Sequence, residues 1–188
     1  MALPAALFLQ LLLLGANLSS SWGLYIYTAR IIKFEALEST EKQYIDFRDV
    51  RVVGAEHSLN GTVHILEDMD GRHFQMSADF QHDPKRNHIW KPMIFFVPIM
   101  DICSGLRVFL ENYGKATLRQ GENTNLPFTG RDCPLFQGTY FVKNMLINSD
   151  NWPAIIPFGG MRLNLRFYRH YKFVGGLSLT FNVERQLL

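Results

Sequence analysis

The chain has 188 residues, 47% of them hydrophobic, with 15 Phe, 7 Tyr and 3 Trp and a formal net charge of +2. Aromatic residues at that density exclude a disordered chain, which lacks the large apolar side chains needed for a core. Cys103 and Cys133 are the only two cysteines, and no CxxC or Cys/His spacing surrounds them, which excludes a thioredoxin-type site and a zinc finger.

The first 23 residues, MALPAALFLQLLLLGANLSSSWG, read as a secretory signal peptide. Their apolar block, residues 5–14, is broken by Gln10 and falls well short of the roughly 20 residues that cross a bilayer. Small residues at Ser19, Ser20, Ser21 and Gly23 allow cleavage after Ser21 or Gly23. Residues 24–188 are then expected to form a single secreted, extracellular domain. In that oxidising compartment Cys103 and Cys133 are expected to pair, closing a loop worth about 3–4 kcal/mol.

Strand signals dominate the rest of the chain. A first strand is expected around residues 30–34. Leu59-Asn60-Gly61-Thr62 and Met69-Asp70-Gly71-Arg72 each carry the two-residue signature of a type I′ hairpin turn. Between and after them Val63 and Ile65 alternate with His64 and Leu66, and Phe74, Met76, Ala78 and Phe80 alternate with His73, Gln75, Ser77 and Asp79. A three-stranded meander with one buried face is the expected result. Residues 94–97, flanked by Pro92 and Pro98, read as a strand at an edge. Asp101 can cap a helix whose apolar positions are Leu106, Phe109, Leu110 and Tyr113, ended by Gly114. Residues 115–131 are polar and read as an exposed excursion. Further strands are expected at residues 139–147, at Leu163–Leu165–Phe167 and, after a Gly175-Gly176 break, at Leu177–Leu179–Phe181–Val183. The fold class is therefore mainly β: an antiparallel two-sheet β-sandwich or β-cup with one short helix.

The motifs Asp101-Ile102-Cys103, Asp132-Cys133-Pro134-Leu135, Gly138-Thr139-Tyr140 and Pro157-Phe158-Gly159-Gly160, with two strands after them, carry a resemblance. Together with Leu59-Asn60-Gly61-Thr62 and Glu67-Asp68-Met69-Asp70, this order resembles insect secreted proteins of the MD-2-related lipid-recognition type. The chemosensory CheA and CheB proteins, proposed to act in pheromone detection, belong to that group, which is in turn similar to the GM2-activator. The resemblance implies an immunoglobulin-like sandwich that holds a lipid or hydrophobic pheromone between its sheets.

Candidate ligand-binding residues are Phe74, Met76, Phe80, Trp90, Phe96, Phe167 and Phe181, with Leu163 and Leu179 beside them as inward-facing positions. These side chains either fill a solid core, since interiors are close-packed, or line the cavity that the resemblance implies. Aromatic and Met walls suit an acyl or hydrocarbon chain, each buried methylene contributing about 0.8 kcal/mol. Trp152, Ile155, Ile156 and Phe158 lie in a Pro-bounded loop that is unusually apolar. It reads equally as a plug folded over the core or as a lip that touches a membrane or receives ligand, and Trp152, Ile155 and Phe158 join the ligand-binding candidates.

Arg162, Arg166, Arg169, His170 and Lys172 form a basic cluster, read first as a solvated face and second as attraction to anionic headgroups or an acidic receptor. Nothing in it matches nucleic-acid readout. Across the expected turn at Asn60-Gly61, His57 would face His64; two imidazoles fall short of a zinc site, and no metal or other cofactor is expected. Asn60-Gly61-Thr62 is also a glycosylation sequon, expected on an exposed turn. No GxSxG, HExxH or phosphate-binding Gly-rich loop is present, so no catalytic residue is nominated. The expected function is non-enzymatic binding of a lipid or hydrophobic pheromone, with a receptor or channel and a transient membrane surface as candidate partners. The alternative is a solid-core accessory protein of a chemoreceptor or channel.

Overall fold

Alternation of apolar and polar residues leaves one face of each segment to be buried, and the chain meets that demand with two antiparallel sheets. The computed structural model describes residues 27–127, 132–150, 152–153 and 155–185. The expected signal segment, residues 1–23, lies outside the described residues, as does part of the polar excursion at 128–131. In chain order the strands are β1 (Tyr27–Leu37), β2 (Ile45–Asp46), β3 (Arg51–Val53), β4 (Ser58–Ile65) and β5 (Phe74–Asp83). Then come β6 (Lys91–Asp101), the helix α1 (Ile102–Gly105) with a π-helical continuation (Leu106–Gly114), β7 (Gly138–Met145), β8 (Gly159–Arg169) and β9 (Lys172–Arg185).

The larger sheet has five strands in the order β1-β9-β8-β5-β6. The smaller one is centred on β4, which pairs with β7 along one edge and with β2 and β3 along the other. The predicted mainly-β, two-sheet sandwich with one short helix is the fold observed.

Between the sheets lies the main core. Ile31 of β1, Phe74 and Met76 of β5, Phe167 of β8 and Val174 of β9 meet Leu59, Val63 and Ile65 of β4 and Val142 of β7. The Phe47 ring bridges the gap, 6.3 Å from Phe34 and 6.3 Å from Phe167, while Tyr44 packs 5.5 Å from Phe74. Asp101 caps α1, its Oδ1 accepting from the Ser104 N–H at 2.8 Å. The Cys103–Cys133 disulfide, with Cα atoms 5.8 Å apart, ties the helix start to the loop ahead of β7.

Several local expectations are corrected. Residues 58–65 form one continuous strand, so Asn60-Gly61 is not a hairpin turn. Gly61 instead occupies a bulge at φ +142°, where a Cβ would strike the Asp49 carbonyl. The true hairpin comes one loop earlier, between β3 and β4, where Gly54 and His57 take positive φ. Met69-Asp70-Gly71-Arg72 is a crossover between sheets, with Met69 bridged to Leu135, so the expected meander does not form. The Asn60-Gly61 signal needs only a residue tolerant of positive φ, and a bulge meets that need as well as a turn does.

Gly175-Gly176 is likewise no break. β9 runs through it because a side chain at Gly175 would hit the Ile45 carbonyl and one at Gly176 the Leu165 carbonyl. The chain turns at His170-Tyr171, both at positive φ. The polar excursion folds back as well: Leu126 enters the main core, and buried Thr124 donates its hydroxyl to the Phe141 carbonyl at 2.8 Å.

Candidate functional site

The larger sheet outreaches the smaller one, and a second apolar cluster marks where cover by strands runs out. Tyr27, Met161, Phe181 and Val183 form its buried part, at the end of the sheet where β1, β8 and β9 meet the 146–158 segment. No strand of the smaller sheet contributes to it. Its roof is the loop: Trp152 lies 5.7 Å from the Phe181 ring, Phe158 lies 5.6 Å from Tyr27, and Ile147 and Ile156 pack alongside. Two hydrogen bonds among the described residues, and the Arg185 guanidinium 5.5 Å from the Phe158 ring, join this roof to the sheet. Ser149 Oγ donates to the Tyr27 carbonyl at 2.6 Å, and His82 Nε2 lies 2.9 Å from the Phe158 carbonyl.

Beside this cluster a cleft of about 730 Å³ opens between the β1 edge and the segments at 116–123 and 144–150. Tyr27, Ala29, Ile31 and Ile147 supply apolar wall; Arg30, Glu56, Arg119, Asn144 and Asp150 supply a polar rim. The volume lies in the range of small-molecule sites, about 300–1,000 Å³. The rim is tied together from within. Thr117 and Asn148 exchange hydrogen bonds at 3.1 and 3.0 Å, Asn123 Nδ2 donates to the Thr117 carbonyl at 2.8 Å, and Arg30 donates to the Ala55 carbonyl at 2.9 Å. Sequence reading missed this cleft, because its residues come from four separated segments and carry no motif.

The nominated ligand-binding residues divide into three groups. Phe74, Met76 and Phe167 are buried in the main core, packed against the smaller sheet and α1. Phe80, Trp152 and Phe181 belong to the second cluster under the loop. The remaining four depart from a shared inward face. Phe96 pairs with Asp79 across β5–β6 and so points outward, 64% exposed, because bulges on either side shift the register of β6. Trp90 lies on the outer face of the larger sheet, its ring 4.1 Å beneath the Arg162 guanidinium. Ile155 is 65% exposed, and Phe158 is split between its contact with Tyr27 and solvent. Within the apolar loop, Trp152 and Ile156 pack over the second cluster, while Ile155 protrudes.

The basic cluster is largely absorbed by the fold. Arg166 pairs with Asp79, Arg169 reaches Glu67 at 2.9 Å while its guanidinium covers Tyr44 and Phe74, and Lys172 lies 3.6 Å from Glu41.

His57 does not face His64. Its Nδ1 lies 2.7 Å from the Ile31 carbonyl, whereas His64 sits on the outer face of β4, with Nδ1 3.0 Å from Thr139 Oγ1 and Nε2 3.0 Å from Asp49 Oδ2. Asp49, His64 and Thr139 thus line up as carboxylate, imidazole and hydroxyl. Among the described residues no group of three or more His, Cys, Asp or Glu is placed to hold a metal ion. Asn60 lies within β4 rather than on a turn; its amide donates to Ser58 Oγ and its Oδ1 accepts from the Asn144 N–H, both at 3.1 Å.

Burial raises the Asp83 carboxyl, but backbone N–H groups of Asn87, His88, Lys85 and Arg86 outweigh it and hold the pKa below the ordinary range. The same residue caps the β5–β6 turn, accepting from the His88 N–H at 2.6 Å.

Against known families, residues 76–163 match one described as a protein of unknown function, DUF1091. The match runs from β5 into β8 and includes both cysteines and the helix. A search of curated proteins returns no match.

Proposed function

We propose that this chain is a secreted, non-enzymatic protein that binds a lipid or similarly hydrophobic molecule where its two sheets part, beneath the 146–158 segment. One observation supports this above the others: the apolar interior is split, and its second cluster is covered by a loop instead of by a sheet. An acyl or hydrocarbon chain could replace Trp152 and Ile156 against Phe181 and Met161 without disturbing the strand ladders. The adjoining cleft offers a polar rim for a head group. The resemblance to MD-2-related proteins supports the same reading and extends it to pheromone detection.

The test is direct. The purified chain should bind a fluorescent fatty acid with micromolar or tighter affinity, and extraction followed by mass spectrometry should find co-purified lipid. A protein that yields neither is not a carrier. The second reading, a solid-core accessory subunit of a receptor or channel, is favoured by the ring packing of Phe34, Phe47 and Phe167 across the main core. It expects no bound lipid.

A further inference from the structure

The β5–β6 hairpin carries a surface that ligand binding does not use. Residues 84–100 contain Lys85, Arg86 and Lys91 and not one carboxylate. Apolar side chains accompany them in the open: Ile89 is 60% exposed, Ile94 86% and Phe96 64%. Arg86 of the hairpin pairs with Glu184 at 2.8 Å. Lys85 and Lys91 have no ion-pair partner among the described residues.

β6 is an edge strand, but not one made for strand addition. Pro92 and Pro98 remove two backbone donors, and two register shifts break its ladder with β5. Whatever covers Ile94 and Phe96 therefore meets their side chains rather than the backbone edge. A second copy docked about a two-fold axis would set unpaired lysines against lysines. Protein interfaces are also depleted in Lys at their centres. Isolated, protruding Ile and Phe side chains among lysines suit an anionic bilayer surface, where the apolar groups enter the acyl boundary and the ammonium groups stay with the phosphates.

We propose that the β5–β6 hairpin is a docking element for anionic lipid surfaces. This does not rest on the ligand reading, because none of Lys85, Ile89, Lys91 or Ile94 lines the cleft or the second cluster.

The test is co-sedimentation of the folded chain with phosphatidylcholine vesicles that contain or lack phosphatidylserine. Retention is expected on the anionic vesicles and should weaken with salt. The variant I89S/I94S should lose roughly tenfold or more of that retention, given the apolar area removed. K85E/K91E should lose the preference for phosphatidylserine, while I32S, on the opposite edge strand β1, should behave as the parent. Because Ile89 and Ile94 are exposed, unchanged melting is expected and confirms folding. As a second readout, F96W should be quenched by brominated lipid. Failure of the parent chain to sediment with anionic vesicles, equal retention of I89S/I94S, an equal fall in I32S or an unquenched F96W overturns the proposal. So does capture by an acidic protein without vesicle binding. Fatty-acid binding without vesicles should be intact in I89S/I94S, so each proposal can fail alone.

Discussion

Beneath the smaller sheet, the interior is assembled from residues far apart in sequence and closed on both sides by hydrogen-bonded strands. At the other end, the same five-stranded sheet presents Met161, Phe181 and Val183 to a loop. Both places bury apolar side chains almost completely, yet the cost of opening them differs. Uncovering Phe167 means parting two sheets, whereas uncovering Phe181 means lifting a loop. Side-chain burial therefore says little about exchange; what distinguishes the two regions is whether backbone ladders must break.

Substitution separates the two regions, and the largest effect is expected in the main core. Phe167→Ala should cost about 3–5 kcal/mol in urea unfolding, because the ring is packed from both sheets and the cavity cannot collapse. A cost near that of a surface change would show that the two regions are alike after all. Removing the disulfide by C103S/C133S should cost about 3 kcal/mol and lower the melting temperature with no further loss on adding reductant.

Trp152→Ala should be milder for stability than Phe167→Ala, since a loop can settle over part of the gap. It should change fatty-acid affinity by about tenfold, while Phe167→Ala should change affinity only as far as it unfolds the chain. Equal effects of the two on affinity would erase the distinction.

The smallest effect concerns pH. Asp83 is held below its ordinary pKa in the fold, so its ionised form contributes stability above about pH 4, and that contribution disappears as pH falls through the lowered value. Asp83→Asn should melt lower than the parent at neutral pH and show a shallower loss of stability in acid. Identical acid profiles would remove Asp83 from the account of the hairpin.

Much of the fold was legible in residue order. Period-two alternation along β5, β8 and β9 identified the inner face of the larger sheet, and every inward position expected there, from Phe74 to Phe181, lies on that face. The Asp101 cap and the Cys103–Cys133 pairing were also readable, because each depends on local chemistry or on a choice among two thiols. The site was much less legible. Phe96 and Trp90 lie in a run, Trp90 to Val97, with no alternation to guide the reading, and bulges in β6 decided their faces. The cleft left no trace at all, since its walls meet only after β1, the β3–β4 turn, the 116–123 segment and the end of β7 with the residues that follow are in place.

Local periodicity and capping were enough to establish that this chain is a β-protein, which faces of its longer strands are greasy, and where its helix starts. Those properties depend on neighbours a few residues away. Which strands pair, whether a glycine turns or bulges, and what roofs the end of the larger sheet were decided only in three dimensions. Asn60-Gly61 tolerates either fate, and contact with the Asp49 backbone selects one of them. The reason is that a strand's partner, unlike its alternation, is chosen by non-local packing, and the energy of that choice is not written in any short stretch of sequence.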